Sequence, residues 1–345
     1  MAVPALVVLL AFVSALGATY CLIRSSARLQ VLDRPNARSL HSVPVPRTGG
    51  LAIWTGALAT AAVVVAAYGG QAELVMIGAG AMVVGIISFI DDRSDLPILA
   101  RLVTHVAAAG LLLVAGLQVH FWNLGLIHPM TGAVFSLLTL LFVVWWINLY
   151  NFMDGMDGFA GGMGVIGFGT LGLLGFLSGN SYFGLLSVGV AAAVAGFLVW
   201  NFPPARIFMG DSGSSVLGFL VAALSLWGHK LGLFPIWVAM LVFSPFVVDA
   251  TVTLVARILR REPFWEAHRS HYYQRLVQLG WGHKKTVLTE YGLMLGCSAT
   301  AIVILRTSPA IQWLALGAWM VVYFVGIVGI TKLERSRISS RESRG

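Results

Sequence analysis

Apolar runs long enough to cross a bilayer recur from one end of the chain to the other, separated by short polar segments. A membrane-spanning α-helix needs about 20 mainly apolar residues. Since no polar stretch is long enough for a soluble domain, the pattern predicts one all-α, polytopic membrane domain over residues 1–345. Charge, Gly, Pro and Asn at the run boundaries predict about eleven transmembrane helices, at 2–23, 50–68, 74–90, 98–117, 133–150, 160–178, 183–200, 213–229, 234–256, 287–305 and 310–331.

Positive charges predict the orientation of these helices. Short loops that contain Lys and Arg stay on the cytoplasmic side of a membrane. With the N-terminus outside, 20 of the 22 Lys and Arg residues fall in or beside cytoplasmic segments, and only Lys230 and Arg306 fall outside. No Lys or Arg precedes the run 2–23, which favours a transmembrane helix over a secretory signal. We therefore expect a cytoplasmic C-terminus, with cytoplasmic segments at 24–49, 91–97, 151–159, 201–212 and 257–286 and a tail at 332–345.

The amino-acid composition agrees with a membrane protein and indicates which molecules it binds. Hydrophobic residues make up 58% of the chain and charged residues 10%, whereas a soluble domain has about 25% charged residues. The net charge of +8 comes from basic residues in short loops, which favours membrane lipid and phosphate-bearing substrates over nucleic acid. The two cysteines, Cys21 and Cys297, lie far apart in separate apolar runs and indicate no disulfide, metal or redox motif.

The first acidic motif is the pair Asp91-Asp92 at the end of the third predicted span. Two adjacent carboxylates at a membrane surface can hold a divalent cation or supply a base. A solvated helix end is the alternative interpretation. Arg101 follows closely enough to join the same polar cluster.

The second motif, residues 148–158, joins the fifth and sixth spans and has the sequence NLYNFMDGMDG. Asn148 and Asn151 are three residues apart and therefore share one helical face. The Asp-Gly pairs at Asp154 and Asp157 suit a turn that a ligand can approach closely. Their oxygens suit Mg²⁺ and can also accept the N–H groups of a nucleobase. A tight interhelical turn is the alternative.

The third motif, residues 201–214, links the seventh and eighth spans and ends in Met-Gly-Asp-Ser-Gly-Ser. Asp211 and Ser212 stand where the eighth helix should begin, and backbone N–H groups at a helix N-terminus favour an anion. Such a site suits a metal-bridged diphosphate. Asp211 as a simple N-cap is the alternative.

Two cytoplasmic loops are basic. Arg47 ends the first, and His268, Arg269 and His271 lie in the last. Arg and His near carboxylates at a membrane surface can hold phosphates and a sugar. An ordinary positive-inside signal explains most of these charges equally well, but it does not explain the two close histidines.

Asp249 and His105 lie inside predicted spans. Asp249 is expected to face other helices or the site, since a lipid-facing carboxylate is costly. His105 belongs to no cluster in the sequence, and we assign it no role.

Together, the three acidic motifs resemble those of the polyprenyl-phosphate N-acetylhexosamine-1-phosphate transferases (glycosyltransferase family 4), which include the phospho-MurNAc-pentapeptide transferase. The resemblance extends from about Asp33 to Trp281, with the motifs in the family's order. It implies an enzyme of the bacterial inner membrane whose active site faces the cytoplasm. The implied reaction joins the phosphate of undecaprenyl phosphate to the sugar phosphate of a UDP-N-acetylamino sugar and releases UMP.

The resemblance also implies a metal and a catalytic pair. Asp211 and Asn151 match the residues that bind Mg²⁺, for which Mn²⁺ is a substitute. Asp91 and Asp92 match the pair proposed to position or deprotonate the lipid phosphate. Phosphoryl transfer depends mainly on positioning and charge neutralisation, so the implied parts suit the implied reaction.

Substrate contacts are implied in the same way. Asp157 matches the position that contacts uracil, and Asn148 is expected to support its turn. The full set of implied substrate-binding residues is Asn148, Asp154, Asp157, Arg47, Arg101, His268, Arg269 and His271.

The last cytoplasmic loop departs from the family pattern. Better-known members carry His-x-His-His or three consecutive histidines there, whereas this chain keeps His271 and has Tyr273 and Gln274 at the following positions. The family resemblance implies that this loop selects the sugar. The variant resembles the branch that begins O-antigen or other surface polysaccharides, with UDP-GlcNAc or a 6-deoxy relative such as UDP-FucNAc or UDP-QuiNAc as donor.

A membrane transporter of nucleotide sugars or lipid-linked sugars is the alternative function. Carriers usually place their polar site near the midplane, between repeated halves. Here only Asp249 is expected to lie inside the membrane, and the two halves show no repeat. The sequence leaves open the donor sugar, the polyprenyl length, a homodimeric state, and whether Asp91 or Asp92 acts as a base.

Overall fold

The computed structural model describes residues 2–24, 31–33, 43–119, 132–263 and 268–342. These residues form helices joined by short loops, with one antiparallel pair of two-residue strands, β1 (Leu32–Asp33) and β2 (Val45–Pro46). The helices are α1 (Ala2–Arg24), α2 (Gly49–Tyr68), α3 (Ala72–Ser94), α4 (Ile98–Val114), α5 (Gly132–Met153), α6 (Phe159–Leu177), α7 (Ser181–Asn201), α8 (Asp211–Lys230), α9 (Ile236–Val242), α10 (Ser244–Leu259), α11 (Tyr272–Leu276), a π-helical segment (Val277–Trp281), α12 (Gly282–Ile304) and α13 (Pro309–Glu342).

The all-α, polytopic class is confirmed. Within the described residues, eight helices are long and apolar enough to span a bilayer, or nine if α9 and α10 together form one bent span. The apolar helix α4 is shorter, with 17 residues. Helical structure occupies each of the eleven predicted places, while the number of crossings and the external N-terminus stay predictions.

The ninth predicted span, 234–256, is wrong as one continuous helix. Its two halves, α9 and α10, meet at an angle of 80°. Pro245 stands in the first turn of α10. A proline ring inside a helix clashes with the carbonyl group four residues earlier, so α9 cannot continue through Pro245 and a new helix begins here. The Ser244 hydroxyl donates to that Leu241 carbonyl at 2.7 Å instead. The break turns α10 away from the axis of α9.

Three predicted boundaries also move. α4 ends at Val114, because Gly116 with φ of +69° closes its C-terminus. The predicted loop 257–286 contains α11, the π-helical segment and the first turn of α12. The predicted tail 332–345 continues α13 as far as Glu342. Parts of the predicted cytoplasmic segments lie outside the described residues, namely 25–30, 34–42, 264–267 and 343–345.

The helices α6 and α7 form the buried centre of the bundle. The most apolar windows of α6 and α7 are 67% and 72% buried, whereas that of α13 is 0% buried. A Cβ atom added at Gly175 of α6 would lie 2.9 Å from the backbone nitrogen of Gly184 on α7. The two backbones therefore approach directly, as small residues allow in membranes, where close packing holds helices together.

The loops group at two ends of the bundle. At one end, the segments that lead into α2 and α6 both bond to the segment between α7 and α8. At the other end, Lys230 pairs with Glu73 at 2.9 Å, and Arg306 donates to the Leu177 carbonyl at 3.0 Å. Loops with the same predicted side therefore share an end, and the end that contains the acidic motifs holds the site.

Candidate active site

The N-terminus of α8 is held by the start of α2. The backbone nitrogen of Gly50 donates to the Met209 carbonyl at 2.7 Å. A Cβ atom added at Gly50 would lie 2.3 Å from the backbone nitrogen of Gly213, so only glycine allows this approach. The contact fixes the position of Asp211, the first residue of α8.

Asp92 caps α8 from a different helix, α3. Its side chain is buried, with Oδ1 accepting from the backbone nitrogen of Asp211 at 3.2 Å and Oδ2 from that of Ser212 at 3.1 Å. A carboxylate is favourable at a helix N-terminus. The Arg47 guanidinium donates to the Asp92 backbone carbonyl, and its Nε lies 3.7 Å from Oδ1. Arg47 therefore offsets part of the negative charge that collects here.

Asp91 points to different partners. Its Oδ1 accepts from the backbone nitrogen of Leu96 at 2.6 Å, and its Oδ2 pairs with Nη1 of Arg101 at 3.1 Å. The two members of the acidic pair therefore bind different elements. Asp92 caps α8, while Asp91 holds the turn that leads into α4. Each carboxylate places one of the two arginines that the sequence predicted at the site.

Asn151 lies beside Asp211. Its Nδ2 is 3.0 Å from Oγ of Ser214 and 3.4 Å from Oγ of Ser215, and its side chain also hydrogen-bonds to Asp211. The structure thus brings together the two residues that the resemblance assigns to Mg²⁺.

Asn148 faces α4 and not the following turn. Its Nδ2 donates to the Val144 carbonyl at 2.7 Å and lies 3.4 Å from Nδ1 of His105. These contacts correct the expectation that Asn148 supports the turn at Asp157. They also give His105 a contact that its isolated place in the sequence did not indicate.

Asp154 completes a group of carboxyl side chains around the start of α8. Burial, together with the negative charges of Asp211 and Asp92, raises the pKa of Asp154 well above its usual range. Within the part of the chain that the structure describes, no three His, Cys, Asp or Glu side chains group closely enough to hold a metal ion unaided. Mg²⁺ needs only one or two protein carboxylates when substrate phosphates supply further oxygens. The donor set of Asp211, Asn151 and Asp154 therefore fits Mg²⁺.

The turn at Asp157 joins three parts of the chain. Its Oδ2 accepts from the backbone nitrogen of Ala205 at 3.0 Å and lies 3.2 Å from Nδ1 of His283. The next residue, Gly158, has φ of +74°, and its carbonyl accepts from the Tyr291 hydroxyl at 2.6 Å. The turn is therefore braced from α12 and from the segment before α8.

The two predicted histidines lie together in the last loop. The ring centroids of His268 and His271 are 4.9 Å apart, and Nδ1 of His271 lies 3.1 Å from Oδ1 of Asp249. Burial lowers the pKa of His268 to about 4, and the neighbouring His271 and Arg257 act in the same direction. His268 is therefore neutral at pH 7. Its Nδ1 accepts from the backbone nitrogen of Ser270 at 3.3 Å, so Nε2 carries the proton and can donate a hydrogen bond.

Tyr273 and Arg269 lie in the same loop but differ in burial. Tyr273 is fully buried, with its ring centroid 4.6 Å from that of Phe159. Arg269 is exposed, and its carbonyl accepts from Gln278 Nε2 at 2.9 Å. The structure thus ties the loop to the core through Tyr273 and leaves the Arg269 side chain on the surface.

Three residues of the site were given no role from the sequence. Asn201 accepts from the Gly158 backbone nitrogen at 3.0 Å and donates to the Ile207 carbonyl at 2.9 Å. Its place at the start of the third polar segment was a usable signal, as was the predicted cytoplasmic position of His283. Tyr291 lies inside a predicted span, where an aromatic residue gives no such signal.

The fold and site define a multi-pass membrane protein with a polar centre of carboxylates at one end of its bundle. The model of glycosyl transferase family 4 matches residues 74–229, which include Asp92, Asn151 and Asp211. A probable undecaprenyl-phosphate N-acetylglucosaminyl 1-phosphate transferase of Bacillus subtilis (strain 168) is 30% identical, over 85% of this chain and 82% of the relative.

Two further relatives agree. A decaprenyl-phosphate N-acetylglucosaminephosphotransferase of Mycobacterium leprae (strain TN) is 32% identical, over 90% of this chain and 85% of the relative. The undecaprenyl-phosphate alpha-N-acetylglucosaminyl 1-phosphate transferase of Escherichia coli (strain K12) is 24% identical, over 73% of this chain and 71% of the relative. The chain therefore belongs to glycosyl transferase family 4, which confirms the resemblance found in its motifs.

Proposed function

We propose that the protein transfers an N-acetylamino-sugar 1-phosphate from a UDP-sugar to undecaprenyl phosphate, giving undecaprenyl-diphospho-sugar and UMP. The names of the relatives, which specify polyprenyl-phosphate acceptors and N-acetylglucosamine, support this reaction class. The observation that carries the proposal is the meeting of three separate motifs, through Asp92, Asn151 and Asp211, at the N-terminus of α8.

Asp211 and Asn151 would hold Mg²⁺, with Asp154 close by and Mn²⁺ as a substitute. When bound, the ion neutralises negative charge on the diphosphate of the donor. The first backbone N–H groups of α8 are already occupied by Asp92, so this carboxylate keeps the helix end fixed while substrates exchange. The chain itself thus supplies a preorganised anchor for charged groups.

Arg47 and Arg101, which lie beside Asp92 and Asp91, would bind the acceptor phosphate. An oxygen of that phosphate attacks the phosphorus next to the sugar, the bond from this phosphorus to the UMP oxygen breaks, and UMP leaves. A phosphate monoester is largely ionised at pH 7 and needs no base. The carboxylates of Asp91 and Asp92 are already engaged by backbone N–H groups and by these arginines. We therefore assign the acidic pair a positioning role toward the lipid phosphate.

The donor would lie along the turn at Asp157 and the last loop. Asp157 supplies a carboxylate for the uracil, and neutral His268, whose Nδ1 accepts from the backbone nitrogen of Ser270, supplies its Nε2–H as a donor to a sugar hydroxyl. The presence of Tyr273 and Gln274 after His271 supports UDP-GlcNAc or a 6-deoxy relative, such as UDP-FucNAc or UDP-QuiNAc, as donor. The product would begin O-antigen or another surface polysaccharide, with the site on the cytoplasmic face of the bacterial inner membrane.

UMP release tests the proposal directly. Purified protein in detergent is given undecaprenyl phosphate, Mg²⁺ and, in turn, UDP-GlcNAc, UDP-FucNAc and UDP-QuiNAc. We expect release with one preferred donor, and loss of release in EDTA and in Asp211→Asn. Asp95→Asn is the matched control, because Asp95 lies in the same end of the bundle in a left-handed conformation that Asn tolerates. Silence with every donor, with the lipid verified, would contradict the proposal and direct attention to transport.

A further inference from the structure

A single buried carboxylate organises the last loop. Asp249 lies on α10, just beyond the break in the ninth predicted span, and is 9% exposed. Its Oδ1 accepts from the backbone nitrogen of Tyr272 at 3.0 Å and from Nδ1 of His271 at 3.1 Å. Its Oδ2 accepts from the backbone nitrogen of Tyr273 at 3.1 Å. Asp249 thus holds the first residues of α11 from a different helix.

Tyr273 connects α11 to the turn that contains Asp154. Its ring packs between those of His271 and Phe159, at centroid distances of 5.8 and 4.6 Å. A Cβ atom added at Gly155 would lie 2.3 Å from the Tyr273 hydroxyl oxygen. The hydroxyl therefore lies directly against the turn that begins with Asp154, and a displacement of α11 would move this turn.

Burying the carboxylate of Asp249 costs free energy, which indicates that this side chain has a specific role. A buried carboxylate in a membrane bundle loses its hydration, and an apolar side chain would pack there at lower cost. Asp249 recovers part of this cost through bonds to α11 and through Thr253 Oγ1, which donates to it at 3.1 Å. The bonds from Asp249 to α11 hold only the first residues of this helix. Their effect is therefore to fix the position of the last loop.

We propose that Asp249 is a positioning residue for the donor side of the site: it fixes α11, so that Tyr273 holds the Asp154 turn next to Asp211. This rests on the proposed transferase function. The acceptor side, where Asp91 binds Arg101, has no bond to this network within the described residues. A substitution of Asp249 therefore weakens binding of the UDP-sugar and Mg²⁺, and leaves binding of undecaprenyl phosphate unchanged.

The main test is Asp249→Asn, which has the same shape but presents an N–H group to one of the backbone donors. We expect the KM for the UDP-sugar and the apparent KM for Mg²⁺ to rise about tenfold, as the loss of a hydrogen bond to a charged group allows. The KM for undecaprenyl phosphate should stay within about twofold of the wild-type value, a split that general loosening of the fold does not produce.

Two further variants complete the test. Thr251→Val removes a hydroxyl of the same helix that has no hydrogen-bond partner within the described residues, and its donor KM should equal that of the wild type. Tyr273→Phe removes the hydroxyl at Gly155 and should raise the donor KM by about threefold. Combined with Asp249→Asn, it should add little, because both changes act through one contact.

Several results would overturn the proposal. These are an unchanged donor KM in folded Asp249→Asn, an equal rise in the KM of both substrates, or a fall in kcat alone. If Asp249→Asn does not fold, an unchanged donor KM in Tyr273→Phe has the same force. If the wild-type protein releases no UMP with any donor, the proposed function fails first; the positioning role is then tested by the Kd of UDP for wild type and variant, and equal values overturn it.

Discussion

The carboxylate of Asp92 lies 3.2 Å from the backbone nitrogen of Asp211, a residue 119 positions further along the chain. Two acidic residues therefore meet at one helix N-terminus, where the dipole of α8 favours negative charge. Asp92 uses this field through its bonds to the helix backbone, which leaves the Asp211 side chain for a ligand. The Arg47 guanidinium beside Asp92 offsets part of the remaining repulsion. This arrangement makes Asp92 a part of the support for the proposed metal site.

The first prediction separates the two members of the acidic pair. Asp92→Asn should reduce UMP release by about a hundredfold or more, because an amide accepts with one oxygen only and leaves a buried backbone N–H of α8 unpaired. Asp91→Asn should have a smaller effect, since Arg101 is 40% exposed and water replaces part of the lost contact. Initial rates and thermal unfolding in detergent measure both effects. Equal loss in the two variants, with both folded, would contradict the division of roles.

A second prediction concerns Mg²⁺ and pH. Burial and the charges of Asp211 and Asp92 raise the pKa of Asp154 above its ordinary value of 3.8, so the metal-free protein retains a proton there at higher pH than usual. Binding of Mg²⁺ must displace this proton. The affinity for Mg²⁺ should therefore increase as pH rises and level off above the raised pKa, as Mg²⁺ titrations at several pH values would reveal.

The variant Asp154→Asn isolates this proton. Its side chain cannot titrate, so the affinity for Mg²⁺ should be weaker than in the wild type and should depend less steeply on pH. The dependence that remains comes from Asp92 and Asp211, since burial raises the pKa of both carboxyl groups. Asp95→Asn should keep the wild-type slope, because that residue is exposed at the edge of the site. A slope that persists unchanged in Asp154→Asn would assign the proton to a different group.

A third prediction uses two glycines with the same backbone angle. Gly210 and Gly232 both have φ of +71°, but an added Cβ would lie 2.2 Å from the Arg47 carbonyl oxygen at Gly210 and would meet nothing within 4 Å at Gly232. Alanine is strained at either position because φ is positive, and at Gly210 a ψ of 170° adds to this, since that combination of angles is adopted almost only by glycine. Gly210→Ala adds a clash of about 1–3 kcal/mol and displaces Arg47 from Asp92.

We therefore expect Gly210→Ala to lose most UMP release and to unfold at a lower temperature than Gly232→Ala, which should remain active. Rates and melting curves of the two proteins, compared side by side, measure the difference. Comparable activity in both variants would mean that close contact between Gly210 and Arg47 is unnecessary.

The fold was largely predictable because apolar run length alone indicates a membrane helix. This signal carries no information on the direction of the helix axis, so α9 and α10 were predicted as one span although Pro245 marked the break. The cytoplasmic tail was predicted to begin at Lys332, after the last span, and its residues through Glu342 continue α13. Local composition thus predicted the helices, while contacts between distant segments determined their ends and bends.

The site was predictable as a set of residues but not as a set of contacts. Asn148 and Asn151 share one helical face by spacing, yet the first meets His105 on α4 and the second meets Ser214 on α8. Which neighbour a side chain reaches depends on packing between helices that are far apart in sequence. For the same reason, nothing in the pair Asp91-Asp92 indicated that its members bind different helices.

The last prediction concerns the extension of α13 beyond the predicted span. Arg275 of α11 donates through Nε to Oε1 of Glu334 at 2.6 Å, with a second bond from Nη2 to Oε2 and a third to Thr331 at 3.3 Å. A two-bond pair of this kind, with both side chains mostly buried, contributes about 1–2 kcal/mol. Glu334→Gln should therefore lower the melting temperature and raise the donor KM by less than Asp249→Asn does, since α11 keeps its bonds to Asp249. Arg335→Gln, one residue further on and exposed, should change neither quantity. A melting temperature equal to that of the wild type in Glu334→Gln would show that α11 needs no support from α13.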